Sequence, residues 1–394
     1  MISFALGESL ELLERATSRF ATEVLRASLR SIEAAGVSRA VAEAAQALGL
    51  GGLQVPEKQG GAGLGMRGAV VALEALAQGD AAASLVLDGG QTAIAALVEL
   101  GDEGQRNRWL PMLVAGTPAT LAYAERWKVV DKGFSTIAQR AGGQRYLLTG
   151  VKSYVLGAAD AALTIVFACT PGPSAWESAC AFVVEGRPAG LRTGEAHAFG
   201  GLQGLPIAEL VLEECAVPAA GRLEAAGDFA GGVRRLFARL ALLGAARQVG
   251  LARAAHTYAL AYTQDRTAFG RPVAHFQAIA FDLADRQMEI DAAQVQVRRA
   301  AFAVDVGAAD AAVQSWQAAA LASQVAWSAA DSAVQLLGGA GYLRDHPVEK
   351  WLRDTQALAL VGPSRAHCLE CLGATSLGLE APAFPPPASQ AMVL

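Results

Sequence analysis

Charged residues are sparse in this sequence. They make up 18% of its 394 residues, and the formal net charge is −5. A nucleic-acid-binding surface needs a surplus of lysine and arginine, so this mild acidity argues against that partner. Hydrophobic residues make up 53% of the chain, which excludes a disordered protein. A chain of this length can bury a large core, and we expect it to divide into two or three domains.

Cysteine is scarce, and membrane-type runs are missing. The five cysteines form an odd, scattered set, which is typical of reduced thiols in the cytoplasm rather than of a disulfide framework. We find no 18-residue run free of charged or polar breaks, so we expect no membrane span. Residues 1–15 carry three glutamates where a signal peptide would carry a basic start, so we expect no signal peptide.

Signatures of metal and hydrolytic sites are also missing. His367 and the pair Cys368 and Cys371 stand close together, but a structural zinc site usually needs a second pair of ligands, and the sequence offers none. We therefore predict no metal site. The sequence has no G-x-S-x-G elbow, and its glycine clusters at residues 60–63 and 338–341 lack the strand and helix context of a dinucleotide-binding motif.

The pattern of apolar residues divides the chain into four segments. Residues 1–118 repeat apolar residues at three- and four-residue spacing, which predicts an N-terminal helical domain. Residues 119–225 hold short β-type runs between turn-rich stretches, which predicts a middle β-domain of antiparallel strands. Residues 226–380 return to long helices, over 232–266, 276–305 and 310–337, and predict a helical bundle. The proline-rich residues 381–394 are expected to form a flexible tail.

Several short motifs are ordinary alone and specific together. They stand in the order Val55-Pro-Glu57, Gly150-Val-Lys152, Arg266-Thr-Ala-Phe-Gly270, Gln335-Leu-Leu-Gly-Gly339, Asp345-His-Pro-Val-Glu-Lys350 and Arg353-Asp354. In this order and spacing the chain resembles the acyl-CoA dehydrogenase family from about residue 40 to 370. The resemblance implies a mainly α fold with a β-domain, namely an N-terminal helical domain, a middle antiparallel β-barrel-like domain and a C-terminal four-helix bundle.

The resemblance also implies a reaction and partners. The family oxidises the Cα–Cβ bond of an acyl-CoA thioester: a carboxylate removes the α-proton, and the β-hydrogen leaves as hydride to FAD. It further implies a homologous subunit in a dimer or tetramer, with FAD held at the subunit interface. An electron-transfer flavoprotein is the electron acceptor that the family usually uses.

One set of the family's FAD-binding residues is matched here. By resemblance, Arg266 reaches the FAD pyrophosphate of the other subunit, for which a guanidinium fork is suited, and Phe269 packs beside it. Gln335 contacts the same FAD. Gly338 and Gly339 allow the backbone to approach the cofactor closely.

The other set is depleted. Ala124 stands where the family has a flavin-binding threonine, and residues 126–133 hold no clear match to its serine on the CoA side. Tyr154 keeps an aromatic ring for the flavin, but Leu156 replaces a second threonine. The family's two usual positions for the catalytic base correspond to Gly362 and Leu240, and neither is acidic. We therefore identify no catalytic residue in this chain.

This asymmetry favours one of three hypotheses. The matched residues serve a partner's FAD and the missing ones serve the chain's own site, as expected of a base-less subunit in a heteromeric acyl-CoA dehydrogenase. Two alternatives stay open: a self-sufficient dehydrogenase with a non-standard base, and a flavin-dependent monooxygenase of the same fold. The sequence does not specify the acyl group.

Overall fold

The computed structural model describes residues 6–125, 134–172, 177–224 and 227–382. Helices make up 58% of the structure and flank a central sheet domain, which confirms the predicted fold class. The segment predicted as a flexible tail falls almost entirely on residues 383–394, outside the described residues. The domain boundaries after residues 118, 225 and 380 remain predictions.

The N-terminal region contains one long buried helix, Gly65–Gly79 (α4), against which Glu8–Phe20 and Ala81–Val86 pack. Apolar side chains cover nearly all of α4, and side-chain caps start the short helices around it: Asp80 accepts from the Ala83 amide, and Asp102 forms a capping box with Gln105. The helices are Glu8–Phe20 (α1), Leu29–Ala35 (α2), Arg39–Gln46 (α3), Gly65–Gly79 (α4), Ala81–Val86 (α5), Gln91–Leu100 (α6) and Glu103–Val114 (α7).

One stretch in the described part of the chain, Ala81–Leu100, is long and apolar enough to cross a membrane by length and composition. Its mean hydropathy is 1.4, and 72% of it is buried inside the protein. Gly89 and Gly90, both with positive φ, break it into α5 and α6. The stretch therefore forms part of the protein core.

The middle domain is built on an open sheet. Its strands are Ala119–Ala122 (β1), Ile137–Ala141 (β2), Arg145–Leu156 (β3), Leu163–Cys169 (β4), Ala179–Glu185 (β5), Leu191–Ala196 (β6), Ile207–Pro218 (β7) and Arg222–Leu223 (β8). They lie in the order β6-β7-β3-β2-β4-β5-β8, with β1 paired to β4.

Two features of this sheet correct the sequence-based expectation. The sheet does not close into a barrel, because β6 and β8 lie at opposite ends of the strand order. The expected antiparallel pairing holds for most of the described strand pairs, but β1 and β2 each pair with β4 in parallel. Parallel pairing needs a crossover connection, and the intervening chain between β1 and β4 provides one. The apolar alternation within a strand does not encode which neighbour the strand pairs with.

The C-terminal helices form an up-and-down bundle. They are Phe229–Asp265 (α8), Gln277–Asp305 (α9), Ala311–Leu337 (α10), Val348–Leu358 (α11) and Arg365–Ser376 (α12), and a hairpin of Thr267–Ala268 (β9) and Arg271–Pro272 (β10) joins α8 to α9. Ser332 of α10 donates to Asp282 of α9, whereas Gln296 donates to Gln317 at 3.3 Å, so α9 and α10 are antiparallel. The hairpin likewise reverses the chain between α8 and α9, so α8 and α10 end on the same side.

A buried ionic cluster joins the three regions of the fold. Lys350 on α11 lies 2.8 Å from Asp80 at the start of α5 and 2.6 Å from Asp354. Asp354 also accepts from the backbone amide of Leu202 in the middle domain, at 2.6 Å. Since all three charged side chains are buried, their mutual pairing offsets the cost of removing them from water.

Candidate active site

The two candidate base positions lie side by side. Gly362 occupies the turn between α11 and α12 with φ of +80°. A side chain built on Gly362 would begin 3.8 Å from the carbonyl oxygen of Leu240 and 4.0 Å from its Cβ. Leu240 lies in α8 and is only 5% exposed. The two positions are therefore adjacent in space.

The acidic groups on the neighbouring turns are already paired. Glu99 on α6 lies 2.5 Å from Arg239, the residue before Leu240, and 2.8 Å from Arg235. Asp228 caps the start of α8 and lies 3.5 Å from Arg235. Because arginine side chains already pair with these carboxylates, they are poor candidates for a free base at position 240.

The cavity behind the Gly362 turn is small. Its volume is about 20 Å³, and its lining includes Leu240, Gly244, Gln248, Ser323 and Arg365. That volume suits one water molecule but is far below the hundreds of Å³ of a small-molecule pocket. Gln248 is 3% exposed, and its Oε1 has no hydrogen-bond partner in the described protein atoms, which is consistent with a water site.

Ala124 and Leu156, the two positions where the family has threonines, make hydrogen bonds through their backbone carbonyls. The carbonyl of Ala124 accepts from the Ser153 amide at 2.9 Å. The carbonyl of Leu156 accepts from the Thr120 hydroxyl at 2.7 Å. Neither side chain offers a hydroxyl to a flavin ring.

Tyr154 adopts a strained backbone conformation. Its φ of +57° places it in the left-handed region, at a register shift of the β3–β7 pair between Lys152 and Val155. Its ring packs against His197 and Phe199, with centroid separations of 4.8 and 6.0 Å. Sequence reasoning missed both of these neighbours, because no motif marks them. The ring predicted to face the flavin thus stands in a cluster of three aromatic side chains.

A buried ion pair underlies the same region. Lys152 lies 2.5 Å from Glu125, which also accepts from the backbone amides and hydroxyls of Ser135 and Thr136. Burial lowers the pKa of Lys152 to about 8, although Glu125 opposes the shift. Burial alone would raise the pKa of Glu125, but the ammonium and these hydrogen bonds outweigh it and hold that pKa below its usual range.

A second group of predicted residues lies at the end of the bundle where α8 and α10 both finish. Arg266 directly follows α8, Gln335 lies in the last turn of α10, and both are exposed. No hydrogen bond or ion pair engages either side chain within the described residues. Gly338, with φ of +59°, and Gly339 have open space where a Cβ would stand.

Phe269 occupies the tip of the hairpin beside this group. With φ of +51°, followed by Gly270 at +80°, it fits the type I′ turn that two-residue hairpins favour. Its side chain is 96% exposed, and its ring meets Phe276 edge-on at 6.2 Å between centroids. The ring neighbour is thus Phe276 rather than Arg266, beside which we expected Phe269 to pack.

The predicted site residues fall into two groups, which we name here. We call Arg266, Gln335, Gly338 and Gly339 the bundle-end surface, and Ala124, Tyr154, Leu156, Leu240 and Gly362 the junction site. An unpaired guanidinium at the same end of the bundle as open glycine backbone has the chemistry to bind a pyrophosphate. The junction site offers the phenol ring of Tyr154 but neither a carboxylate nor a serine or threonine hydroxyl.

The histidine and cysteine cluster of α12 is buried and unreactive. The Cys371 thiol lies 3.5 Å from Nε2 of His367. Burial raises the thiol pKa of Cys368 and of Cys371 to about 12, and it lowers the pKa of His367 to about 4. All five cysteines are free and buried. Within the described residues no three metal-ligating side chains come together.

Comparison with known proteins identifies the family. The chain matches the acyl-CoA dehydrogenase N-terminal domain over residues 7–117 and the acyl-CoA dehydrogenase C-terminal domain over residues 233–368. It is 33% identical over 315 residues to an acyl-CoA dehydrogenase of Bacillus subtilis, covering 78% of this chain and 82% of the relative. It is 32% identical over 313 residues to the probable acyl-CoA dehydrogenase FadE25 of Mycobacterium tuberculosis, covering 78% of this chain and 79% of the relative.

Solved structures agree with this assignment. The butyryl-CoA dehydrogenase of Megasphaera elsdenii superimposes with a TM-score of 0.90 at 28% identity, covering 95% of this chain and 100% of that one. The predicted resemblance is thereby confirmed, and so is the class of enzyme and cofactor. The chain belongs to the acyl-CoA dehydrogenase family of FAD-dependent oxidoreductases that act on CH–CH bonds.

Proposed function

We propose that this chain is the base-less subunit of a heteromeric acyl-CoA dehydrogenase. A homologous partner subunit supplies the catalytic carboxylate and a complete flavin pocket, and this chain supplies its bundle-end surface to the partner's FAD. The substrate is an acyl-CoA thioester, the electron acceptor is an electron-transfer flavoprotein, and the complex works in the cytoplasm.

One observation carries the proposal: Leu240 and Gly362 are neighbours in space, and neither bears a carboxylate. Removal of an α-proton requires a base within hydrogen-bond reach of that proton, and its loss typically lowers the rate by 10²–10⁴-fold. The nearby Glu99 is held between two arginines. A chain that lacks a base at these two positions needs a partner subunit to supply one.

The bundle-end surface has the chemistry to hold a dinucleotide. The guanidinium of Arg266 donates to phosphate oxygens as a fork, and the amide of Gln335 adds a further donor beside it. Gly338 and Gly339 leave room for the cofactor against the backbone. FAD, when bound, accepts the β-hydrogen as a hydride.

The junction site is less suited to a flavin of its own. Ala124 and Leu156 remove two hydrogen bonds, each worth about 1 kcal/mol, or more where a buried polar atom is left unpaired. The cavity of about 20 Å³ behind Gly362 offers no room for an acyl chain. These features support a chain that binds neither FAD nor substrate productively by itself.

Anaerobic titration with acyl-CoA tests the proposal. The chain is purified alone and, separately, after co-expression with a homologue encoded beside it, and flavin absorbance is followed as acyl-CoAs of several lengths are added. We expect bleaching only in the complex. Bleaching of the chain alone would overturn the proposal and favour the self-sufficient dehydrogenase. Oxygen consumption driven by a separate flavin reductase would favour the monooxygenase.

Introducing a base gives a second test. Leu240→Glu is the better variant because position 240 is helical, whereas φ of +80° strains any side chain at Gly362. We expect no turnover from Leu240→Glu alone, since Ala124 and Leu156 still lack flavin contacts. Substantial turnover from that single change would show that the flavin pocket of this chain is competent.

A further inference from the structure

A second cavity lies in the middle domain, where the sheet stays open. Its volume is about 330 Å³, which reaches the range of about 300–1,000 Å³ that is typical of small-molecule pockets. It opens between β5, β7 and α7, and none of the residues of the bundle-end surface or the junction site lines it. Its walls include Arg108, Trp109, Val183, Pro188, Ala216 and Val217.

The gap in the sheet explains the cavity. β8 pairs with β5 only at Ala181 and Phe182, so residues 183–185 at the end of β5 run past it. β6 pairs with β7 no further than Leu212, so residues 216–218 at the end of β7 also run past their neighbour. Both strand ends line the cavity, and no described strand lies between them. Because backbone rather than a truncated side chain creates this space, small side-chain movements do not fill it.

The deep wall of the cavity is apolar. Trp109 and Val183 are 2% exposed, and Val217 is 1% exposed. Trp109 and Val183 belong to the core that the sheet shares with the helices, whereas Val217 belongs to the core on the other face of the sheet. The cavity therefore lies at the boundary of two hydrophobic cores. Apolar cavities hold water poorly and bind apolar groups, so the body of a ligand here is apolar.

The mouth of the cavity carries an ion pair. Nη2 of Arg108 lies 2.7 Å from the carboxylate of Glu185, and these side chains are 59% and 42% exposed. Trp109 donates from Nε1 to the same carboxylate at 3.2 Å, which holds Glu185 against the wall. The guanidinium of Arg108 carries further N–H donors, which have no hydrogen-bond acceptor within the described residues. These donors are free to bind a ligand.

A second arginine lies next to a residue that lines the cavity. Arg145 pairs with Pro218 across β3 and β7, and both residues are exposed on the same face of the sheet. No ion pair or hydrogen bond engages the side chain of Arg145 in the part of the chain that the structure describes. The mouth thus has two guanidinium groups for the one carboxylate of Glu185, and this surplus of positive charge favours an anionic group.

We propose that this cavity is a binding site for a small amphiphilic carboxylate. The apolar part of the ligand lies between the ends of β5 and β7 against Trp109. Its carboxylate accepts hydrogen bonds from Arg108 at the mouth, and Arg145 adds positive charge. An organic cation would face both arginines, and an uncharged molecule would leave them without a partner. The site is separate from the bundle-end surface and the junction site, and it does not depend on the function proposed for them.

Three probes with the same apolar chain test the head group. Octanoate, octanol and octylammonium are titrated into the full chain at submicellar concentrations, and calorimetry gives their affinities. We expect octanoate to bind about tenfold more tightly than octanol, because hydrogen bonds to charged groups are the stronger ones, and octylammonium to bind most weakly. Binding of octanol or octylammonium as tight as that of octanoate would overturn the proposal.

Filling the cavity tests where octanoate binds. Ala216→Trp adds a large side chain at a position that lines the cavity but is exposed, so the fold is expected to survive, and circular dichroism checks this. Ala196→Trp, at an exposed alanine of β6 outside the cavity, is the matched control. We expect octanoate binding to be lost in Ala216→Trp and kept in Ala196→Trp. Undiminished binding by Ala216→Trp would place octanoate at a different site and overturn the proposal.

Removing the guanidinium tests the polar contact. Arg108→Gln is expected to weaken octanoate binding about tenfold and to leave octanol binding unchanged. Arg192→Gln is the matched control, because Arg192 is also 59% exposed and also pairs with a glutamate, Glu213, at 2.9 Å. Equal affinity of Arg108→Gln and Arg192→Gln for octanoate would show that Arg108 does not bind the carboxylate, and the proposal would fail.

Discussion

The bundle-end surface, which we propose binds a partner's FAD, differs sharply from the junction site, where the chain's own flavin would lie. The bundle-end surface is exposed and polar, with Arg266 unpaired in the described structure and open backbone at Gly338. The junction site is apolar, with Leu240 and Gly362 at the base positions. The difference supports our proposal that this chain binds a neighbour's cofactor and does not itself abstract a proton.

The junction site lacks the side chains that the family resemblance assigns to ligand contact, but its buried ion pairs are intact. The Lys152–Glu125 pair still joins β3 to the loop after β1, and the ionic cluster around Lys350 still joins the three regions. General decay of the site would be expected to damage these buried pairs as well. Each experiment below therefore measures either the stability of the fold or the binding of FAD.

Breaking the Lys152–Glu125 ion pair should have the largest energetic effect. Lys152→Met leaves the carboxylate of Glu125 buried without its cation, and we expect a loss of about 3–5 kcal/mol in the free energy of unfolding. Urea denaturation measures it. The double variant Lys152→Met/Glu125→Gln should recover part of the loss. Equal stability of Lys152→Met and the unmodified chain would mean that the pair does not support the junction site.

Acidification should destabilise the folded chain through His367, which lies on α12 directly after the Gly362 turn. With its pKa lowered to about 4, the folded chain keeps His367 neutral where an unfolded histidine binds a proton. The free energy of unfolding should therefore fall as the pH drops from about 6.5 to 4, by roughly 3 kcal/mol for this group. His367→Gln should flatten the pH profile of denaturation in that window. His275→Gln, at an exposed histidine, is the matched substitution control.

Arg266→Ala tests the bundle-end surface directly. Loss of a charge-assisted contact to a pyrophosphate costs about 1.5–3 kcal/mol, so FAD retention in the complex should fall about 10- to 100-fold. Arg271→Ala is the matched control, because Arg271 lies in the same hairpin over the ring of Phe276. Flavin release on dilution measures both variants. Equal FAD retention by the two variants would indicate that Arg266 does not bind the pyrophosphate.

Restoring the two hydroxyls should have the smallest effect. Ala124→Thr and Leu156→Thr return two hydrogen-bond donors to the junction site, at about 1 kcal/mol each. We expect FAD binding by the isolated chain to strengthen about 10- to 30-fold without turnover, because no base is present. Fluorescence titration with FAD measures the change, and unchanged binding would indicate that the aromatic cluster around Tyr154 closes the site.

The sequence predicted the helices better than the sheet. The helix expected over residues 276–305 runs over Gln277–Asp305, because helical periodicity is local and long segments carry it clearly. The parallel pairing of β1 with β4 and the open sheet escaped prediction, since strand partners are chosen by contacts distant in sequence. His197 and Phe199 escaped for a related reason: the left-handed backbone of Tyr154 brings its ring to them.

Residues of the candidate site were predictable only where a motif marks them. Arg266 and Gln335 stand in short motifs, and the structure brings them to one end of the bundle, but their contact with FAD stays a prediction. The proximity of Leu240 and Gly362 is a product of the fold, because 121 residues separate them in the chain.

The central claim is that the complex holds FAD in the partner's pocket and not in the pocket of this chain. The flavin content of the complex, measured by visible absorbance against protein mass for each chain, tests it most directly. We expect a colourless isolated chain and a yellow complex with one FAD for each pair of this chain and its partner. One FAD per chain in the isolated protein, with full turnover of an acyl-CoA, would contradict it.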